Sequence, residues 1–190
     1  DTTAQIRVLG FQSNCYRDLS DFSAAIETGT DALLLAERVG NQHFIAVLYS
    51  HVGLIYGQFM DFEKARENLF KSLRFQQEEK ILEGEVVALT NIGWTYSQEK
   101  NYEKAIEYNL KALAIAEEID LRRYMGTTLL NVGEAYFNLN KMELASGYIT
   151  RGITVARIEN EWPAIARGAV QMAHLYRESR SNTAFHYAQE

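Results

Sequence analysis

Residues 89–113 read LTNIGWTYSQEKNYEKAIEYNLKAL, and this stretch decides the fold because its landmarks recur along the chain. Gly93 is followed three residues later by Tyr96 and twelve residues later by Ala105. The same landmarks recur at 40-residue intervals: Gly53, Gly93 and Gly133; Tyr16, Tyr56, Tyr96, Tyr136 and Tyr176; Ala25, Ala65, Ala105 and Ala145. A fixed period of this length predicts a solenoid in which each repeat is one supersecondary unit.

Each repeat is predicted to contain two helices. Asp61, Asn101 and Asn140 stand where N-caps are expected, and the single proline, Pro163, falls where a helix opens and its missing N–H costs nothing. The recurring glycines and alanines are expected to permit close helix–helix approach, which offsets the cost of glycine in a helix. Apolar residues recur at helical spacing over three clear segments: Phe62–Gln77, Val86–Gln98 and Tyr102–Glu118.

This pattern resembles the tetratricopeptide repeat family. Gly93, Tyr96, Ala105 and Ala112 match its consensus, and Leu89 stands in the usual tryptophan position. The resemblance implies an all-α fold, a right-handed superhelical solenoid of antiparallel helix pairs. It divides a single domain, 1–190, into about five repeats and suggests that the chain is part of a larger protein. The repeats are 1–40, 41–80, 81–120, 121–160 and a truncated 161–190.

Two features depart from the common form of the family. The period is 40 residues where the standard repeat has 34, and no proline closes the second helix. Longer second helices and longer turns between repeats are expected to absorb the difference. Such extended repeats resemble those of kinesin light chains, of peptide-sensing regulators and of sensory regions in bacterial signalling enzymes. In the last repeat, a short second helix is expected in which Ala184 aligns with Ala145.

Composition and charge exclude several classes of function. The net charge of -6 argues against nucleic acid and anionic membranes as partners, and no apolar run is long enough to span a membrane. The single cysteine, Cys15, offers no internal disulfide and aligns with Ile55 and Thr95, so we expect a small core residue and a cytoplasmic protein.

No catalytic or metal-binding motif is present in the sequence. The histidine pairs His43 and His51, and His174 and His186, do not have metal-ligand spacing, and there is no glycine-rich phosphate loop. We therefore predict a protein that is not an enzyme and has no cofactor.

The resemblance implies that the binding surface is the concave face of the first helices. The groove positions that it assigns are Asn91, Trp94, Gln98, Asn131, Glu134, Asn138, Gln171, His174 and Arg177, with Ser50, His51, Leu54, Gln58, Ser97, Phe137, Arg7, Asn14 and Arg17 in comparable places. Asn91 and Asn131 carry amides that can pair with the main chain of a peptide ligand. Asparagine is also the family's common residue at that position. Trp94 would add an aromatic anchor.

Basic residues at both ends of the predicted groove suggest an acidic peptide or one bound by its terminal carboxylate: Arg7 and Arg17 at one end, and Arg167, His174 and Arg177 at the other. The alternative is that they solvate helix faces. The carboxylate clamp of chaperone-binding repeats is disfavoured, because Val86, Val87 and Thr90 stand where it needs a cation.

Three functions remain open from the sequence. The first is a protein–protein interaction scaffold that binds a peptide or protein segment in its groove. The second is the sensory or regulatory region of a multidomain bacterial signalling protein, such as a diguanylate cyclase, a histidine kinase or a peptide-sensing transcription regulator. The third is self-association as a homodimer through the C-terminal repeat, where Phe185 and Tyr187 are expected to be exposed.

Overall fold

A computed structural model describes the backbone of residues 2–187 and the side chains of residues 2–178. The all-α fold class is confirmed, and the segments predicted from their periodicity are helices. In the described range these are α1 (Thr2–Asp18), α2 (Phe22–Val39), α3 (Gln42–Gln58), α4 (Phe62–Glu78), α5 (Leu82–Gln98), α6 (Tyr102–Glu118), α7 (Arg122–Asn138), α8 (Met142–Ile158) and α9 (Trp162–Tyr187).

The 40-residue period follows from uniform helices and uniform turns. Every helix except α2 and α9 has 17 residues. The turns carry a left-handed residue every 20 positions: Ser20, Gly40, Met60, Lys80, Lys100, Asp120, Asn140 and Asn160. After α3, the N–H of Met60 donates to the Gly57 carbonyl and the N–H of Asp61 to the Tyr56 carbonyl, which is a Schellman motif. The expectation of longer turns between repeats is wrong, because both kinds of turn use this short motif.

The predicted caps are confirmed at two positions and wrong at the third. Oδ1 of Asp61 accepts from the N–H of Lys64 at 3.2 Å, and Oδ1 of Asn101 accepts from the N–H of Lys104 at 3.3 Å. The N-cap of α8 is instead Lys141, which makes no side-chain capping bond. Asn140 is the left-handed turn residue before it, with φ 58°, a conformation that asparagine tolerates better than most residues.

The chain forms two compact units, residues 1–95 and 96–190. In the first unit α1, α2, α3 and α4 pack in sequence, and α1 also contacts α3. In the second, α6, α7, α8 and α9 pack in sequence, and α7 also contacts α9. Each unit therefore brings two first helices side by side. The single five-repeat domain stays a prediction.

The expected close approach at the glycines is confirmed in both units. A Cβ on Gly53 would lie 3.0 Å from the Ala65 carbonyl oxygen, and one on Gly133 would lie 2.6 Å from Cγ1 of Ile149. Ala65 and Ala145 are fully buried on the opposing helices. The glycines thus allow each first helix to pack onto the backbone of its own second helix.

Cys15 is exposed, so its assignment to the core is wrong. The equivalent residues Ile55, Thr95, Ala135 and Leu175 are buried in later first helices. Those helices follow a second helix, and α2, α6 and α8 pack against α3, α7 and α9 respectively. Among the described helices, α1 packs against α2 and α3.

The last repeat also differs from its prediction. The helix that begins at Trp162, with Pro163 in its first turn as expected, continues through the predicted turn to Tyr187. Continuing α9 keeps the backbone hydrogen bonds that a turn would break. The side chains of Ala184, Phe185 and Tyr187 lie outside the described residues.

Candidate functional site

In the first unit, the predicted groove residues Ser50 and Asn91 are linked. Nδ2 of Asn91, on α5, donates to Oγ of Ser50, on α3, at 3.2 Å, and Asn91 is half-buried. Because the NH2 group is held by Ser50, the amide oxygen points away from that bond. A carbonyl oxygen fixed in this way can accept a hydrogen bond from the main chain of a ligand.

Trp94 packs on α3 at Gly57. A Cβ at Gly57 would lie 2.7 Å from Cζ3 of the indole, so only glycine leaves room for the ring. Trp94 is half-buried in this position. The ring therefore has one face supported by the protein, as an aromatic anchor requires.

Three more of the predicted groove residues in the first unit are Asn14, Arg17 and His51. Arg17 donates to Oδ1 of Asp18 through Nε at 3.1 Å and Nη2 at 2.9 Å. Oδ1 of Asn14 and Nδ1 of His51 are buried without a hydrogen-bond partner among the described residues. Burial, with the Arg17 guanidinium as the second cause, lowers the pKa of the His51 imidazole.

The second unit contains a cavity of about 190 Å³ between its first helices. We call it the α7–α9 cavity; it is lined by Glu134, Phe137, Asn138, Ile149, Gln171 and His174. Four of these lining residues are predicted site residues of the groove: Glu134, Asn138, Gln171 and His174. The structure brings those four together.

The polar groups of the α7–α9 cavity have a fixed arrangement. Nε2 of Gln171 donates to Oε2 of Glu134 at 2.9 Å, and Nδ2 of Asn138 donates to the Glu134 carbonyl at 2.8 Å. Oε1 of Gln171 is buried and has no partner in the described part of the chain. An unpaired buried acceptor costs about 1–3 kcal/mol, so a donor supplied to this oxygen would bind favourably.

Two other polar side chains hold the helices on which this cavity is built. Nδ2 of Asn131 donates to Oδ1 of Asn109 at 3.4 Å, and Asn109 is fully buried with its own Nδ2 on the Ala105 carbonyl. Arg167 donates through Nη2 to the Thr127 carbonyl at 3.0 Å and thereby ties α9 to α7. Burial lowers the pKa of Arg167, and the Glu134 carboxylate partly opposes this effect.

The remaining predicted site residues do not join these clusters. Gln98 is exposed at the end of α5, and Arg177 is exposed and pairs with Glu178 at 3.7 Å. Arg7 lies 5.7 Å from the centroid of the Phe44 ring. Gln98 and Arg177 therefore lie on solvated helix faces, whereas Arg7, on α1, lies against a ring on α3.

Ile149 is the lining residue that the sequence reasoning missed. It lies on a second helix, α8, whereas the predicted groove positions all lie on first helices. Its repeat equivalents, Leu69 and Asn109, are also fully buried. The position four residues after the recurring alanine was a signal that could have identified it.

The described residues contain no cluster of three or more His, Cys, Asp or Glu that could hold a metal ion. Across the same residues, none of the helices is both long and apolar enough to cross a membrane.

Comparisons with known proteins agree with this architecture. Residues 44–118 match the tetratricopeptide repeat family model. No curated protein sequence matches the chain significantly.

Three solved structures share the fold. Aspartyl phosphate phosphatase F from Bacillus subtilis is 16% identical in sequence and superposes with a TM-score of 0.86. The match covers 100% of this chain and 50% of the phosphatase. A Rap protein complexed with competence and sporulation factor is 18% identical with a TM-score of 0.79, and the match covers 94% of this chain and 50% of the Rap protein. The TPR-like repeats of a Podosopora anserina kinesin light chain are 12% identical with a TM-score of 0.74, covering 95% and 89%. The chain thus spans about half the length of the first two proteins.

Proposed function

Since the chain carries tetratricopeptide repeats, we propose that it is a non-enzymatic interaction module that binds an extended peptide or protein segment on its first helices. One observation carries this proposal: equivalent first-helix positions hold amides whose NH2 groups are bound within the protein. Asn91 donates to Ser50, Asn131 to Asn109, and Gln171 to Glu134. Amides oriented in this way present oxygens to the N–H groups of a ligand main chain.

The Rap-type neighbour supports this proposal, because the structure that resembles the present chain was solved with a bound factor. Repeat solenoids in general use their extended surfaces for binding. The net charge of -6 disfavours nucleic acid as the partner. A cytoplasmic location, which the single cysteine favours, stays a prediction.

A selection from randomised, capped nonapeptides on the immobilised chain tests the proposal. We expect specific peptides to be retained, and their affinity to fall about fivefold in Asn131→Ala, as the loss of about one hydrogen bond implies. Asn68→Ala is the matched control, because the Asn68 amide lies on a second helix and donates to the Lys64 carbonyl. Retention of no peptide, or equal effects of the two substitutions, would contradict the proposal.

A second candidate is a regulatory region within a larger signalling protein. The observation that favours it is the length of the neighbours. The chain matches only 50% of the phosphatase and 50% of the Rap-type protein. Sequencing of the complete reading frame tests this candidate. A catalytic or DNA-binding domain in the same frame would support it, whereas repeats alone would contradict it.

A further inference from the structure

We infer that the α7–α9 cavity admits a lysine side chain of the bound segment, an inference that rests on the proposed function. The cavity offers two acceptors to such a side chain. Glu134 is exposed and is the only carboxylate among the lining residues, and Oε1 of Gln171 is buried without a partner among the described residues. An ammonium group has three donors and no acceptor, so it complements this pair of oxygens.

The orientation of Gln171 makes the cavity a site for donors. An amide side chain can usually be turned over to present either its oxygen or its NH2 group. Here the NH2 group must donate to Oε2 of Glu134, because a carboxylate cannot donate in return. The Glu134 carboxylate therefore fixes Oε1 of Gln171 as the group left unpaired.

The size and the apolar lining of the cavity fit a lysine stem. A volume of about 190 Å³ equals roughly six waters' share of the liquid. Phe137 and Ile149 line the same space, and the half-buried Phe137 presents accessible apolar surface there. A long side chain can cover such apolar surface with its methylene groups while its charged end reaches a polar rim.

The two neighbouring arginines do not occupy this site. Arg167 interacts electrostatically with Glu134, but it is bound to the Thr127 carbonyl and does not line the cavity. Arg177 pairs with Glu178. Of the basic residues that suggested an acidic ligand, Arg167 and Arg177 are therefore engaged outside the cavity, whereas His174 lines it together with the Glu134 carboxylate.

Four pools of capped nonapeptides test this inference. The central residue is fixed as lysine, norleucine, glutamine or glutamate, and the other positions are randomised. Norleucine keeps the lysine stem without the ammonium group. We expect the wild-type chain to bind the lysine pool about tenfold more tightly than the norleucine pool, as a charge-assisted hydrogen bond implies. Fluorescence anisotropy of labelled pools gives the apparent affinities.

Two isosteric variants locate the effect. Glu134→Gln removes the charge but keeps an oxygen for Gln171, and it should abolish the preference for lysine. Glu143→Gln makes the same charge change at an exposed position of α8, and it should retain the preference. Thermal unfolding of both variants verifies that they fold.

The outcomes separate the two proposals. Peptide binding that Asn131→Ala weakens, but with equal affinity for lysine and norleucine pools, would overturn this inference and leave the proposed function standing. A lysine preference that persists in Glu134→Gln would overturn it as well. Failure of every pool to bind would overturn the proposed function and this inference together.

Discussion

At the scale of single residues, His51 illustrates how the first helices combine packing with potential binding chemistry. Its Nδ1 atom is buried without a partner among the described residues, and the Arg17 guanidinium is close enough to disfavour a second positive charge. Both effects oppose protonation of the imidazole. A histidine in this setting is stable in its neutral form and makes the folded state sensitive to acid.

We therefore predict that His51 makes the free energy of unfolding decrease as the pH is lowered. Its folded pKa is lowered, so the unfolded chain takes up the proton first, at its ordinary pKa near 6.5. The contribution of His51 is complete above that pH and is lost as the pH falls through the folded pKa. Urea unfolding of the wild type and of His51→Gln between pH 7.5 and pH 5 should give a shallower dependence for the variant.

His43 supplies the control for this experiment. It is an exposed histidine on the same helix, and His43→Gln should keep the pH dependence of the wild type. If His51→Gln and wild type lost stability in parallel, the acid sensitivity would lie in other groups.

At the scale of helices and turns, the left-handed turn residues carry local backbone strain. Met60 has φ 64° and its side chain is exposed, so its packing contributes little. This conformation destabilises an L-residue by about 1–2 kcal/mol through steric repulsion that glycine lacks. Glycine in turn loses more backbone entropy on folding, which partly offsets its advantage. The turn nevertheless forms, because the Schellman hydrogen bonds satisfy the last carbonyls of α3.

We predict that Met60→Gly is more stable than Met60→Ala by about 1 kcal/mol. Both variants lose the same exposed side chain, so the difference isolates the backbone conformation. For a chain of this size the melting temperature should differ by about 2–4 °C. Calorimetry measures the difference, and an alanine variant as stable as the glycine variant would show that the turn is not strained.

The turns also mark how far the sequence predicts the elements. Helix bounds could be predicted to within a few residues from apolar spacing and from Asp61 and Asn101, because these signals are local. The predicted N-cap at Asn140 is one residue too early, because asparagine is favoured both as an N-cap and as a left-handed turn residue. The continuous α9 and the exposed Cys15 could not be predicted, because each departs from the repeat pattern on which the predictions rest.

The candidate site, too, could be predicted only in part from the sequence. The repeat register assigned Glu134, Asn138, Gln171 and His174 to one surface, and the structure places them around one cavity. The orientation of the Gln171 amide and the engagement of Arg167 with α7 are side-chain hydrogen bonds with no periodic signature. Register predicts which residues face a groove, but not which of their atoms are left unpaired.

At the scale of the whole molecule, a repeat protein derives its stability from contacts between neighbouring elements. The glycines at the first-helix positions are central to those contacts. Because a Cβ at Gly133 would lie 2.6 Å from Ile149 Cγ1 and 3.1 Å from its backbone nitrogen, Gly133→Ala must push α7 and α8 apart. Overpacking of this kind typically costs about 1–3 kcal/mol.

Gly147→Ala is the matched substitution on α8, where an added Cβ meets nothing within 4 Å. It should stabilise the protein by about 1 kcal/mol, since alanine is the better helix former. Denaturant unfolding of the two variants should thus give changes of opposite sign. Destabilisation by both would mean that helical glycine, rather than close approach, is what the sequence requires.

The same variant tests how locally the chain responds. In a protein whose elements contact mainly their neighbours in sequence, a defect at Gly133 should lower the hydrogen-exchange protection of α7 and α8 first. We predict that amides in α1 and α2 of Gly133→Ala keep wild-type protection under native conditions, because their contacts within the first unit do not involve Gly133. Exchange measured by mass spectrometry resolves the helices individually. A uniform loss of protection from α1 to α9 would instead mean that all repeats unfold in one cooperative step, so that a ligand bound to one pair of helices would stabilise the entire chain.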